Sequence, residues 1–287
     1  MKYILSISLM MLVSVLGQAQ ESQWSFHLGT NSAIGHFGQS SSADQDWALV
    51  SNSDKAGFGI GGDAGALFRR SISDDYYFDL LFGANFIISM PNADILRSSS
   101  SFIKESKKYG MSVTMKNAHF ISIPLLIGIR YHIPLEFLSR LYVDLQAGGA
   151  LNVVTTRHSE ILGSPKPVIN ILGMSVYDYV YTDRFDPSIA WAFRFALGAE
   201  FGEHWVMDLS LFYASPYRIE GTEEFEIGTS PNASSRSKGS VDYFGARITP
   251  MILSLRIGYQ LNPVPQSNKI SIPAPTNRRN SLKARRL

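Results

Sequence analysis

Between His119 and Ile133 the chain alternates with a period of two. Ile121, Ile123, Leu125, Ile127, Ile129 and Tyr131 form one set; Ser122, Pro124, Leu126, Gly128, Arg130 and His132 form the other. Successive side chains of a strand point to opposite faces, so this stretch predicts a strand with one aliphatic face and one small, polar or charged face, Leu126 being the exception. The pattern recurs along the chain. Trp24, Phe26 and Leu28 oppose Ser25, His27 and Gly29 in a first strand. A second, over 56–70, sets Phe58, Ile60, Ala64, Ala66 and Phe68 against Gly57, Gly59, Gly61, Asp63, Gly65 and Arg69. A third sets Tyr76, Phe78, Leu80, Phe82, Ala84, Phe86 and Ile88 against Tyr77, Asp79, Leu81, Gly83, Asn85 and Ser89. The stretch from His119 to Ile133 is the fourth, extended back to about Val113. The fifth, over 141–155, opposes Leu141, Val143, Leu145, Ala147, Leu151 and Val153 to Tyr142, Asp144, Gln146, Gly148 and Asn152. In the sixth, Ile189, Trp191, Phe193, Phe195, Leu197 and Phe201 oppose Ser188, Ala190, Ala192, Arg194, Ala196, Gly198 and Glu200. The seventh begins at Trp205 and carries Asp208 on its polar face. The eighth alternates Met251, Leu253, Leu255, Ile257, Tyr259 and Leu261 with Ile252, Ser254, Arg256, Gly258 and Gln260.

The connections also alternate. Long loops are predicted over 36–55, over 91–112, after 155 for roughly thirty residues and over 215–240. Short turns are predicted over 71–75, 134–140 and 202–204. Long loops on one side and short turns on the other are the signature of outer-membrane barrels, and about ten residues suffice for a tilted strand to cross the apolar layer. Trp24, Tyr76, Tyr131, Trp205, Tyr213 and Tyr259 fall at strand ends, as an interfacial girdle requires. The predicted fold is therefore all-β, an eight-stranded antiparallel up-and-down transmembrane β-barrel over residues 20–261. A soluble ligand barrel would need its apolar face inside. Packing Trp191, Phe193, Phe195, Phe78, Phe82 and Phe86 into so narrow a barrel would overfill it, which favours the bulky face outward.

Composition changes this picture little. The 287 residues carry a net charge of +2, a mean hydropathy of +0.01 and 12% aromatics, values that a soluble globule shares. Absence of cysteine excludes disulfides, thiolate metal sites and a lipid-modified N-terminal Cys. Residues 1–19 read as a secretory signal peptide: Lys2, an apolar run from Ile4 to Leu16, and Gly17 and Ala19 as small residues before cleavage. Residues 262–287 hold Lys269, Arg278, Arg279, Lys283, Arg285 and Arg286 without an acid, and four prolines without apolar periodicity. They read as a disordered basic periplasmic tail. Apart from that tail and Lys2, 19 basic side chains face 24 acids, so the body is mildly acidic.

Three segments resemble a known family. Ile121-Ser122-Ile123-Pro124-Leu125-Leu126 with Arg130-Tyr131, Gly198-Ala199-Glu200-Phe201-Gly202, and Leu253 to Tyr259 are similar in order and spacing to the Bacteroidota-type outer-membrane β-barrel domain, the PorT-like group. Ser122 stands where that group often has Glu, and the basic tail follows where it commonly ends on an aromatic. The resemblance implies a bacterial outer-membrane barrel with both termini periplasmic. It implies function poorly, because members range from secretion accessories to barrels of unassigned role.

Candidate chemistry is sparse. Asp63, Asp79, Asp144, Glu200 and Asp208 share the polar face with Arg130, Arg194 and Arg256, and enclosed charges need partners, so a paired network inside a plugged lumen is expected. Lys104, Lys107 and Lys108 are candidates for touching lipopolysaccharide phosphates. Glu220, Glu223, Glu224 and Glu226 are candidates for holding a divalent cation against them, with a solvated loop as the plainer reading. Gly57, Gly59 and Gly62 match a dinucleotide fingerprint formally, but no helix is expected after them. His119 and Ser122 fall on opposite faces, and His158-Ser159-Glu160 lies in a predicted loop. No HExxH or GxSxG motif occurs, so neither enzyme activity nor a cofactor is expected. The expected partners are outer-membrane lipid, lipopolysaccharide and a periplasmic or secretion-machinery protein; the compartment excludes nucleic acid. The expected role is structural or accessory, through loops or tail, with a narrow channel and a lipid-modifying enzyme as alternatives.

Overall fold

The computed structural model describes residues 22–39, 55–72, 77–133, 139–163, 169–171, 174–230 and 236–261. The expected signal peptide, the basic tail and Tyr76 lie outside the described residues. In chain order the strands are β1 (Ser22–Ala33), β2 (Phe58–Ser71), β3 (Phe78–Pro91), β4 (Met111–Lys116), β5 (Phe120–Ile133), β6 (Ser139–Val154), β7 (Arg157–Gly163), β8 (Ile169–Ile171), β9 (Met174–Val176), β10 (Asp178–Phe185), β11 (Ser188–Phe201), β12 (Trp205–Ala214), β13 (Tyr217–Gly228), β14 (Ser237–Ile248) and β15 (Met251–Leu261).

Eight of these close into an antiparallel barrel in the order β1-β15-β12-β11-β6-β5-β3-β2. Each barrel strand pairs with the next barrel strand along the chain, and β15 returns to β1 through Trp24↔Leu261 to Ala33↔Ile252. This is the up-and-down barrel that the alternation predicts. Closure leaves no ladder edge within the wall, which a hydrocarbon surrounding demands. Ile127, Phe193 and Leu255 are 50%, 51% and 53% exposed, so the bulky set faces outward. Arg130, Arg194 and Arg256 on the alternate set are buried. Such a belt of exposed Leu, Ile, Phe and Trp around enclosed charges is the inverse of a soluble barrel and fits only a surrounding of lipid.

Narrowness explains the small residues of the inner face. A Cβ on Gly198 would collide with the ring of Tyr142, so this glycine leaves the space that the ring fills. At the end with the short turns, aromatics form a rim. Trp205 meets Tyr259 edge-on at 5.3 Å, His204 stacks on Tyr259 at 5.0 Å, and Phe78 meets Tyr131 at 5.1 Å.

Beyond the opposite end the wall continues. A five-stranded sheet runs β14-β13-β10-β7-β4, the same order as β15-β12-β11-β6-β5 beneath it. Each upper strand joins its barrel strand directly: Lys116 leads to Phe120, Val154 to Arg157, Phe185 to Ser188, Ala214 to Tyr217 and Ile248 to Met251. Pro187, Pro216 and Pro250 occupy three of the joints. Proline supplies no ladder N–H, so each strand breaks there and changes direction. Backbone hydrogen bonds tie the joints together: Thr155 N to His119 O at 2.8 Å, Asp186 N to Glu220 O at 2.9 Å and Ala214 N to Pro250 O at 2.9 Å. A helix, Ala93–Lys108, lies against β4, its start capped by the Asn92 side chain accepting from Ile95 N at 3.0 Å. The β8–β9 hairpin lies between β7 and β10 in chain order.

The sequence reading needs correction at three points. The stretches read as long loops over 91–112, after 155 and over 215–240 carry the helix and the upper sheet. The fourth strand does not run unbroken from Val113; 117–119 separate β4 from β5, which belong to different sheets. Phe58 points inward, because the register between β2 and β3 shifts between Phe58 and Gly61 and reverses its face.

Candidate functional site: the filled lumen and the protruding sheet

Side chains fill the lumen in two tiers. The tier nearer the short turns is ionic. Asp63, Asp79, Arg130, Asp144, Arg194, Glu200, Asp208 and Arg256 are all buried there. Cross-strand register makes the two strongest pairs. Arg130 sits opposite Asp144 and binds it with both prongs, Nε to Oδ1 at 2.7 Å and Nη2 to Oδ2 at 2.9 Å. Arg256 sits opposite Asp208 and does the same, at 2.8 and 3.0 Å. Two parallel N–H···O bonds satisfy charge and geometry together. Arg194 reaches Asp63 at 3.4 Å. The guanidinium of Arg130 also lies 3.5 Å above the Tyr142 ring, the ring that Gly198 admits.

Three members of this tier are not among the predicted site residues. Arg69 binds Glu200 and Gln23 and lies 3.3 Å from Asp79. His132 Nε2 is 2.7 Å from Asp79, and His27 Nδ1 is 3.5 Å from Asp208. Each stands on the polar face by simple alternation, so the signal was present in the sequence.

The second tier is apolar. Phe37, Phe58 and Phe120 pack with ring centroids 4.9–5.6 Å apart. Ile87, Leu126, Phe212, Ile219, Ile248 and Ile252 belong to the same cluster. Phe37 belongs to the one-turn helix Gly35–Gly38, within a stretch that alternation alone does not reach.

The predicted surface sites fare differently. Lys104, Lys107 and Lys108 lie exposed on the helix Ala93–Lys108, and Lys108 pairs with Glu105 at 2.7 Å. Glu220, Glu223, Glu224 and Glu226 lie on β13, not in a loop, and alternation sends Glu223 to the face opposite the other three. Glu224 pairs with Arg184 at 3.1 Å, and Glu226 with Lys238 at 2.6 Å, which holds the Glu226 carboxyl below its usual range. Strand geometry thus divides the four glutamates between two faces of the sheet. Among the described residues no group of three or more His, Asp or Glu side chains is arranged as metal ligands.

The inner face of the upper sheet carries a second ionic cluster. Arg157 Nε donates to Asp183 Oδ2 at 2.6 Å and lies 5.3 Å from the Tyr181 ring centroid. Glu223 is the cross-strand partner of Asp183. Burial raises the Asp183 carboxyl above its ordinary range, although Arg157 pulls the other way. Burial and then the Asp183 charge raise Glu223 likewise. Burial and Glu223 push Tyr179 up to about 12. His158 and Glu160 share the outer face while Ser159 is buried on the inner one, so these three form no catalytic set.

Barrel, belt and enclosed charges together define an outer-membrane β-barrel protein. No family model matches the chain, and no curated protein matches it. Solved structures with a similar fold include a major outer membrane protein from Thermus thermophilus, with 11% identity over 84% of this chain and 100% of that one, at a TM-score of 0.39. The outer membrane protein OprG from Pseudomonas aeruginosa gives 10% identity over 84% and 96%, at 0.36. Ail, the attachment invasion locus protein of Yersinia pestis, gives 10% over 84% and 100%, at 0.35.

Proposed function

We propose that the protein is a non-conducting, non-enzymatic membrane platform that holds the upper sheet rigidly at the membrane surface for a protein partner. The observation that carries this is the continuation of the wall. Five barrel strands extend into the sheet in matching order, so the sheet cannot pivot freely on the barrel. The lumen beneath is occupied by two tiers of side chains and offers no reason for a rigid mouth. Among the described residues no strand pairs with the far side of β14, and an unpaired edge is a ready template for an added strand. The long connections face outward and both termini are periplasmic, as the loop asymmetry of such barrels implies. The three motif segments support a likeness to the PorT-like group, and secretion or surface attachment is the accessory role proposed for the platform.

Photo-crosslinking in living cells tests this. A photoreactive residue at Val241 or Lys238, both exposed on β14, is expected to trap a discrete protein adduct. The same probe at Leu255, in the belt, is expected to trap lipid only. Lipid-only or no adducts from β14 would refute the platform.

A further inference from the structure

At the foot of the upper sheet two guanidiniums face each other. Arg218 on β13 is the cross-strand partner of Arg247 on β14, and both are exposed. Their neighbours Tyr217, Ile219 and Ile248 pack inward, so alternation sends both arginines to the outer face. Directly opposed side chains stand about 5 Å apart at Cβ, and like charges there repel. Arginine cannot relieve the repulsion by losing its proton. Cations nearby are paired: Arg184 with Glu224, Arg157 with Asp183, Lys238 with Glu226, and Arg236 with Asp178 and Glu226. Among the described residues neither Arg218 nor Arg247 joins an ion pair. Glu220, the next acid along β13, is carried out of step by a bulge and lies opposite Phe244. An opposed pair of this kind offers an anion two guanidinium forks.

Its place says which anion. Arg218 follows the Pro216 joint and Arg247 precedes the Pro250 joint, so both lie just beyond the apolar belt, at the depth of lipid headgroups. Below them the belt is indented. A groove of about 440 Å³ is lined by Ile127, Leu145, Ala147, Phe193, Leu211 and Tyr213. It follows one hydrogen-bonded row, Ile127↔Ala147↔Phe193↔Tyr213, across four strands. Ala147, the small outward residue of β6 in this row, leaves the room between Ile127 and Phe193. The groove ends at Tyr213, on the strand that leads through the joint to Arg218.

We propose that this is a lipid site, in which Arg218 and Arg247 clasp a phosphate and an acyl chain of the same molecule lies in the groove. Guanidinium forks suit phosphate oxygens better than a point charge would. The choice of lipid rests on the outward orientation proposed above, which places the pair in the outer leaflet, where the phosphate-bearing, multiply acylated glucosamine lipid of the outer membrane, lipid A, is the occupant.

Full-length protein folded in detergent micelles, titrated with lipid A or with phosphatidylglycerol and read by native mass spectrometry, tests the site. Micelles have no leaflets, so an error in orientation leaves this measurement intact and is exposed separately by protease treatment of whole cells. The wild type is expected to retain lipid A in preference to phosphatidylglycerol. R218Q/R247Q should weaken retention about tenfold or more, the loss of one or two charged hydrogen bonds. Ala147→Leu, which fills the groove, should weaken it as well, and Lys238→Gln should not. Heat-modifiable migration reports that each variant is folded, and Arg218→Gln alone provides a second, milder test. Equal lipid A retention by the wild type and R218Q/R247Q would overturn the site. Equal affinity for the two lipids would overturn the assignment to lipid A.

Discussion

Arg256 and Asp208 stand side by side on β15 and β12 because the barrel register places them there, and neither charge is tolerable inside the lumen without the other. Removing one partner of a buried pair leaves an uncompensated ion and costs about 3–5 kcal/mol, whereas replacing both by apolar groups of similar size is often neutral. Asp208→Ala is therefore expected to destabilise the barrel by about that amount in urea unfolding from lipid vesicles. The double variant D208L/R256M should recover most of the loss. Recovery would fail if His27 and Asn85, which also contact this pair, carry a large share of its energy. On the other face the reasoning reverses. Ile127 points into lipid, so Ile127→Arg places a cation near the midplane at a cost of roughly 2–4 kcal/mol. Loss of heat-modifiable folding is expected, and normal folding would place that face elsewhere. Alternation also placed Arg69 and His132 on the interior face. What it could not show was which acid each would meet, because Arg69 and Glu200 lie 131 residues apart and meet only when the barrel closes.

The barrel strands were legible because lipid on one side and a crowded lumen on the other force opposite residue types onto alternate positions. The upper strands are not legible in this way because neither constraint acts on them. β13 carries Glu220, Thr222, Glu224 and Glu226 on its outer face and Gly221, Glu223 and Phe225 on its inner one, a mixture that reads as a polar loop. The prolines at 187, 216 and 250 read as strand ends, and they are strand ends; nothing local reveals that another strand begins on the far side. These elements have their own pH response. The folded sheet raises Asp183 and Glu223 above the ordinary carboxylate range, so the folded state binds protons more readily than the unfolded one. Stability of the sheet therefore falls as pH rises from about 4, the unfolded carboxylate value, through the raised folded values. Amide hydrogen exchange in β10 and β13, corrected for intrinsic rates, should be slower at pH 5 than at pH 7. D183N/E223Q should abolish that difference, and an unchanged difference would assign it to other groups.

Across the whole molecule, wall, lumen and sheet act as one continuous construction. Five barrel strands lead through short joints into the upper sheet in the same order, and backbone hydrogen bonds across the joints tie the sheet to the wall that meets lipid. Beneath the sheet the two tiers fill the lumen in series. Beneath Phe37, Phe58 and Phe120 lie Arg130, Asp144, Arg256 and Asp208, paired and buried. An ion crossing the barrel would have to displace aromatic rings and then compete for charges already held at 2.7–3.0 Å by bidentate contacts. Planar-bilayer recording of the reconstituted protein should accordingly show no stable conductance. Phe120→Ala enlarges only the upper tier, at a cost of about 3–5 kcal/mol in stability, and should remain silent because the ionic tier still stands below it. Stable ion-sized steps in the wild type would mean that water threads both tiers and that the barrel is a narrow channel. Steps in Phe120→Ala alone would mean that the rings are the whole barrier and the ionic tier is permeable.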